Sequence, residues 1–376
     1  LTPDDYFEVI NFHSHTEELF KSTQPATPEH IREPPRHQEV LVKMAASGVC
    51  HSDLIFIKGD REHPLPVVLG HEGSGTVVEL GPDVTYAKLG DHVVLSSIPT
   101  CGRCSFCVKG RQNLCEVSHR LEGNLVDGTR RLRKGQQEIC HFLALSTFGE
   151  YAVVPEDSLV LIRKDAPLEM MALIGCGVAT GVGAVIYTAK VEPGSKVVVI
   201  GAGGVGLNVV QGAALAGAET IIAVDIRAPK LEQALEFGAT HLINAAIEDV
   251  TAGVRDITRG EMADYAFEAI GSTEAIIQAF HTTRPGGVTV MVGITPSGAQ
   301  LTIDPDLLHE DRVLMGCTYG SCYPRADMPM LVDLYMAGKL KLDQLISRTC
   351  SLDEINVAFD AMERGEGARS VVLYNQ

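Results

Sequence analysis

The sequence predicts an α/β protein in two parts, a doubly wound parallel sheet and a β-barrel. Three observations carry that reading. Lys196–Asp225 reads strand, glycine turn, helix, strand and acid, and the residues after it continue to alternate strand and helix. From Glu39 to Leu95 the chain shows short β-patterned runs broken by Gly and Pro. At 376 residues it exceeds what one hydrophobic core usually spans, so two domains are expected.

The central stretch is KVVVIGAGGVGLNVVQGAALAGAETIIAVD. Lys196–Ile200 is the near-continuous apolar run of a strand buried on both faces. Gly201 permits a tight turn, Gly203 removes a side chain where a pyrophosphate must approach, and Gly206 lets the helix pack on the strand. With Gly204 and Val205 between them, they open a helix whose N-terminus faces the phosphates. Ala213, Ala214 and Ala216 keep that helix slim, Gly217 ends it, and Thr220–Val224 carries Asp225 at its tip. Asp225 is placed to hold the ribose hydroxyls, and the unit is a Rossmann-type dinucleotide site.

The remaining elements follow in order. Residues 1–38 show no clear period, and His13 and His15 lack neighbours at ligand spacing, so no site is assigned there. Glu39–Cys50, Pro64–Gly81 and Leu89–Leu95 read as barrel strands. Two motifs sit on their turns: Cys50-His51-Ser52-Asp53 in the loop after one strand, and Gly70-His71-Glu72-Gly73 before another. Cys101, Cys104, Cys107 and Cys115 then follow as C-x2-C-x2-C-x7-C. Four thiolates so close repel one another unless a cation balances them, and four sulfurs with no open position suit a structural zinc in a lobe at about 101–115. A four-cysteine iron–sulfur cluster is the rival. Cys140, Cys317, Cys322 and Cys350 read as small buried hydrophobes. Residues 118–147 are polar and read as loop or hairpin, Glu150–Pro155 returns to strand, and Leu173–Thr180 carries Cys176. Beyond the glycine unit the reading is helix Pro229–Phe237, strands His241–Ile243 and Tyr265–Glu268, helix Thr273–His281 and strand Val288–Gly293. Past about Leu314 the alternation lapses into helices at Met330–Leu340 and Ile355–Gly365.

Composition excludes whole classes of partner. A net charge of −17 repels phosphate backbones and anionic lipid, so neither nucleic acid nor a membrane surface is expected. No apolar run of about 18 residues and no charged-then-apolar start appears, so a cytoplasmic enzyme is expected.

Cys50, His71 and Cys176 are far apart in sequence but are the ligand types zinc prefers, and three of them leave a fourth position for substrate. Together with the glycine unit they become specific. GVCHSD, GHEGSG, the four-cysteine lobe, LIGCGVATG and IGAGGVG occur in the order seen in zinc-dependent medium-chain alcohol dehydrogenases. The chain resembles that family from about Pro34 to its C-terminus, and its class III branch most around 118–147. The resemblance implies a GroES-like catalytic domain over 1–177, a Rossmann NAD domain over 178–314, and a segment 315–376 returning to the first. It implies NAD and two Zn2+ per chain: catalytic zinc on Cys50, His71 and Cys176, structural zinc on Cys101, Cys104, Cys107 and Cys115. Ser52 would take the substrate proton, with Asp53 and Glu72 acting near the metal and Asp53 orienting His71. His51 would lie by the pyrophosphate, Thr180 and Val205 by the nicotinamide, Lys230 by the adenosine ribose and Arg369 by the phosphates. Ile55 stands where many liver-type members end the proton relay in a histidine. A homodimer or homotetramer acting on a small alcohol or aldehyde is implied.

Three readings follow. The first is an NAD-dependent dehydrogenase of primary or aryl alcohols. The second is a thiol-adduct (S-hydroxymethyl thiol) formaldehyde dehydrogenase. The third is a catalytically silent zinc- and nucleotide-binding protein, against which Ser52 argues, since binding alone requires no proton acceptor.

Overall fold

The computed structural model describes residues 34–374 and the backbone of two short paired strands, Tyr6–Phe7 and Gln24–Pro25. His13, His15 and most of residues 1–33 lie outside the described residues. The chain divides into two compact units. One takes in the described residues up to Cys176, Tyr323–Gly338 and the residues from Leu342 on, and the other Gly177–Cys322 with Lys339–Lys341.

The first unit is built on a seven-stranded sheet. Its path runs Leu159–Ile162, His92–Leu95, Glu72–Leu80, Glu39–Val49, Arg369–Leu373 and Ile346–Cys350, and Tyr151–Pro155 also pairs with Glu39–Val49. All pairings are antiparallel except that of Ile346–Cys350 with Arg369–Leu373. Glu39–Val49 is buried along nearly its whole length, and so its sequence is apolar without alternation. Its register with Glu72–Leu80 shifts between Leu41 and Val42 and again between Met44 and Ala46. Such irregularities increase local twist and turn a sheet toward a barrel. Val40, Val42, Met44 and Val49 pack there with Val93, Leu95, Phe148 and, from helix Ile355–Glu363, Ile355, Ala358 and Phe359.

The stretch 118–147 contains a hairpin, Leu132–Lys134 with Gln137–His141. Much of it is exposed, as its polarity requires, but not all of its charge lies at the surface. Arg131 is fully buried, and its guanidinium donates to Glu39 at 2.6 and 2.8 Å and to Asp127 at 2.5 Å. His141, also buried, accepts the Arg131 backbone N–H at 3.1 Å.

The second unit carries six parallel strands, ordered His241–Asn244, Thr220–Asp225, Lys196–Ile200, Ala263–Glu268, Thr283–Met291 and Val313–Gly316. Counted within the sheet this is 3-2-1-4-5-6, the doubly wound order that reverses between strands one and four. Helix Thr273–His281 falls as expected, capped by Ser272, whose Oγ accepts from Ala275 N. Helix Val250–Ile257 was not expected; Asp249 caps it and Val250 and Val254 face the core, too short an apolar stripe to signal a period. The unit also runs past Leu314, because Val313–Gly316 adds a sixth strand. That strand pairs on one side only, and four residues carry no alternation. The C-terminal region likewise differs from a purely helical return: helices Pro324–Met336 and Ile355–Glu363 are joined by strands Ile346–Cys350 and Arg369–Leu373. No single helix among the described residues is long and apolar enough to cross a membrane.

Candidate metal centres and dinucleotide turn

Strand Glu39–Val49 ends where Cys50, still extended, takes the N-cap position of helix His51–Ile57. The motif therefore lies on a helical turn and not in an open loop. Leu54, Ile55 and Ile57 bury one face of that turn, which is what makes it helical. Asp53, with no exposed surface, points across to the second motif, where its Oδ1 accepts from Gly70 N at 3.0 Å and pairs with His71 Nδ1 at 3.2 Å. Gly70 has φ +92°, and a Cβ there would lie 2.6 Å from the Phe148 backbone nitrogen. Glycine at this point thus sets the direction of His71. In the tautomer that donates Nδ1–H to Asp53, Nε2 is the nitrogen left to bind a metal.

Glu72 begins strand Glu72–Leu80 and is fully buried. Its carboxylate lies over Gly48, where any Cβ would strike Oε2, and forms an ion pair with Arg369, itself buried. Cys176 closes the turn Ala172–Gly175. The result is one cluster: ligand atoms of Cys50, His71, Glu72 and Cys176 all lie within 4.8 Å of one another. Ser52 is beside it, its Oγ accepting from Cys50 Sγ at 3.6 Å. His51 is exposed.

The electrostatics of the cluster call for a cation. The hydrogen bond from Cys176 holds the Cys50 thiol well below its usual range, and the same bond with burial pushes Cys176 well above. Burial pulls His71 down, but the Asp53 carboxylate and Cys50 outweigh it and raise the imidazole. Burial lifts Glu72 to about 7 against the pull of Arg369. Glu72 Oε1 and Asp53 Oδ2 are buried and have no hydrogen-bond partner among the described residues. Two sulfurs and an imidazole in a largely buried cluster beside the Asp53 and Glu72 carboxylates fit Zn2+ by type and number.

The four-cysteine lobe is a second cluster, with Cys101, Cys104, Cys107 and Cys115 sulfurs within 4.8 Å. Backbone N–H groups point at these sulfurs: Cys101 N to Cys115 Sγ at 3.4 Å, Cys104 N to Cys101 Sγ at 3.4 Å and Cys107 N to Cys104 Sγ at 3.5 Å. The Cys107 amide holds Cys104 down to about 6, whereas burial pushes Cys107 and Cys115 up. All ten cysteines are free thiols. Of the four without a ligand role, Cys140 and Cys322 are buried, while Cys317 and Cys350 are half-buried.

In the second unit the glycine turn has the shape its sequence requires. Gly201 has φ +99°, and a Cβ on Gly206 would collide with the Gly201 carbonyl. Gly203, by contrast, faces open space. Asp225 reaches back to the turn, its Oδ2 accepting from Ala202 N at 2.9 Å and its Oδ1 from Arg227 N at 3.0 Å. Gly204 and Val205 start helix Gly204–Leu215, Thr180 lies on helix Gly177–Gly183, and Lys230 on helix Ala228–Glu236. Arg369 lies on the first unit's sheet, beside Glu72. Two contributors escaped the sequence reading: Gly48, which makes room for Glu72, and Glu268, described below. The signal for Gly48 was its place two residues before Cys50 in a strand that otherwise avoids glycine.

Two clusters of metal-ligand side chains in the first unit, and in the second a doubly wound sheet bearing a glycine turn, are the parts of a metal-dependent dehydrogenase. Residues 36–164 match the alcohol dehydrogenase GroES-like domain and residues 204–337 the zinc-binding dehydrogenase family. An S-(hydroxymethyl)glutathione dehydrogenase of Paracoccus denitrificans is 43% identical over 353 residues, covering 91% of this chain and 94% of that protein. A class-3 alcohol dehydrogenase of Dictyostelium discoideum is 41% identical over 364 residues, 94% of this chain and 96% of that one. The crystal structure of benzyl alcohol dehydrogenase from Acinetobacter calcoaceticus superposes with a TM-score of 0.91 at 35% identity, covering 99% of both chains. The chain belongs to the zinc-dependent medium-chain alcohol dehydrogenases and is class III-like. It is an oxidoreductase, with zinc and a nicotinamide dinucleotide as cofactors.

Proposed function

We propose that the protein is an NAD-dependent dehydrogenase interconverting primary or aryl alcohols and their aldehydes, acting in the cytoplasm as a homo-oligomer. The observation that carries this is the convergence of Cys50, His71 and Cys176 with the Ser52 hydroxyl beside them.

Cys50, His71 and Cys176 would hold the catalytic zinc, which when bound polarises a substrate oxygen and favours its alkoxide. Cys101, Cys104, Cys107 and Cys115 would hold the structural one. Asp53 pairs with His71 Nδ1 and would leave Nε2 to the metal. Ser52 Oγ accepts the substrate hydroxyl proton and passes it outward. That route does not run through position 55, since Ile55 is a buried apolar side chain. Glu72 supplies negative charge, held in place by Arg369 in a role distinct from the phosphate contact implied by resemblance. In the second unit the turn Gly201–Gly206 would hold the pyrophosphate, Asp225 and Lys230 the adenosine ribose, and Thr180 and Val205 the nicotinamide.

A second reading is favoured by one observation: the 43% identical Paracoccus relative is an S-(hydroxymethyl)glutathione dehydrogenase. Steady-state kinetics with NAD distinguish the two. A higher kcat/KM for benzyl alcohol or a primary alkanol than for S-(hydroxymethyl)glutathione is expected. The reverse order would replace the first reading with the second.

A further inference from the structure

The fourth strand of the parallel sheet ends on a carboxylate with no role in the reading above. Glu268 has no exposed surface. Its Oε1 accepts from three successive backbone N–H groups, Ile270 at 2.7 Å, Gly271 at 2.5 Å and Ser272 at 3.4 Å. Its main-chain carbonyl accepts from Val292 at 2.8 Å and Gly293 at 3.0 Å. Oε2 has no hydrogen-bond partner among the described residues. Burial raises the carboxyl above its usual range, and the N–H donors offset part of that rise.

Convergent N–H groups ahead of a helix are the kind of nest that takes up phosphate. Here the nest before helix Thr273–His281 is filled by the chain's own side chain. Its position matters, because Ala263–Glu268 pairs with Lys196–Ile200 where the strand order reverses, the place at which ligands enter such sheets. Two turns therefore meet there. The glycine turn has Gly203 facing open space, while the Ala269–Ser272 turn is closed by Glu268.

The same carboxylate fixes what the second turn presents. Ala269 N donates to Ile200 O at 2.9 Å, and the Ile270 side chain packs so closely on the glycine turn that a Cβ at Gly201 would be 2.6 Å from its Cγ1. On the other side Gly271, at φ +89°, is wedged against the Ile294 carbonyl, which any Cβ would strike. Ile270 remains 52% exposed.

We propose that Glu268 is a positioning residue for the dinucleotide: it fills the second anion nest and clamps the Ala269–Ser272 turn against the glycine turn. The pyrophosphate then meets one anion site, and the nucleotide meets Ile270 as a fixed apolar wall. This rests on the reading that Gly201–Gly206 binds the dinucleotide.

The test is fluorescence titration of the zinc-loaded full chain with NADH, alongside zinc content, thermal midpoint and NAD kinetics. Glu268→Ala should raise the Kd for NADH about tenfold or more, because three buried N–H groups lose their acceptor. The KM for NAD should rise with it, while kcat at saturating NAD falls less. Glu268→Gln keeps an accepting oxygen and should stay within about threefold of wild type. Gly271→Ala, which displaces the same turn without touching the carboxylate, should reproduce the loss and serves if Glu268→Ala does not fold. Wild-type affinity in Glu268→Ala or Gly271→Ala, or equal damage from Glu268→Gln and Glu268→Ala, would overturn the proposal. So would a fall in kcat and thermal midpoint with Kd unchanged. A wild type that binds no NADH would remove the dinucleotide reading, and this proposal with it.

Discussion

At Ser52 a hydroxyl stands within hydrogen-bond reach of a metal-type thiol, one residue into a helix whose other early member, Asp53, is committed to His71. Ser52→Ala should lower kcat by about 10²–10⁴-fold, the usual scale of a general acid–base contribution, with NADH affinity retained. Full turnover in that variant would remove Ser52 from the proton route. Asp225 decides a different question. Its carboxylate, tied to Ala202 N and Arg227 N, would sit against the 2′-phosphate of NADP, and like charges at contact discriminate by roughly a hundredfold. Wild type should therefore favour NAD in kcat/KM, and Asp225→Ser should narrow the gap; equal use of both by wild type would give control to Arg227. Residues such as these were legible because their chemistry is scarce. Cysteine and histidine at turns announce a soft-ligand site, and glycines at a strand end announce close backbone approach. Glu268 was not legible, because a glutamate closing a strand looks like any solvated acid until the three amides aimed at it are seen.

Among the elements, the four-cysteine lobe and the 118–147 hairpin make contrasting predictions. Cys104→Ala should lose one zinc per chain and lower the thermal midpoint, since the metal organises a lobe whose only regular pieces are the short turns Ser105–Val108 and Gln112–Leu114. Cys176→Ala should also lose one zinc but leave the thermal midpoint near wild type, as a site seated on an existing sheet does not fold it. Metal analysis paired with melting curves separates the two. In the hairpin, burial is the main cause that pulls His141 from 6.5 to about 3, with Arg131 and Arg130 adding to it. The unfolded chain therefore takes up a proton below about 6.5 that the folded chain refuses until about 3. Stability from this group is present above 6.5 and declines as pH falls, by about 1.4 kcal/mol per unit in the window between. His141→Gln should flatten the stability-against-pH curve from denaturant titrations between pH 4 and 6.5; an unchanged slope would mean that His141 is protonated in the fold. This element was the hardest to read. Arg131 and Glu39 have the composition of a surface, and only their pairing with each other and with the exposed Asp127 allows their burial.

For the molecule as a whole, the alternation of strand and helix gave away the doubly wound class, but not that Val313–Gly316 would extend the sheet or that two C-terminal strands would join the barrel. Short strands paired on one side or late in the chain leave no period to detect. Those late strands have a consequence for how the protein is made. Arg369–Leu373 lies between Glu39–Val49 and Ile346–Cys350 in the sheet, so one partner of the long Glu39–Val49 strand is made after every other strand of that sheet. As the chain leaves the ribosome, the nearly contiguous Gly177–Cys322 unit has all six of its strands in hand while the first unit's sheet still lacks two, Arg369–Leu373 coming last of them. Until that strand emerges, the buried Glu72 carboxylate has no Arg369 to balance it. A chain stopped after Ala368 should keep a protease-resistant nucleotide unit and lose the barrel, as limited proteolysis would show, whereas resistance of both units would mean that the barrel closes without its final strand. The order of synthesis thus makes completion of the sheet around the Cys50, His71, Glu72 and Cys176 cluster a late event, withheld until the strands of the other unit have been made.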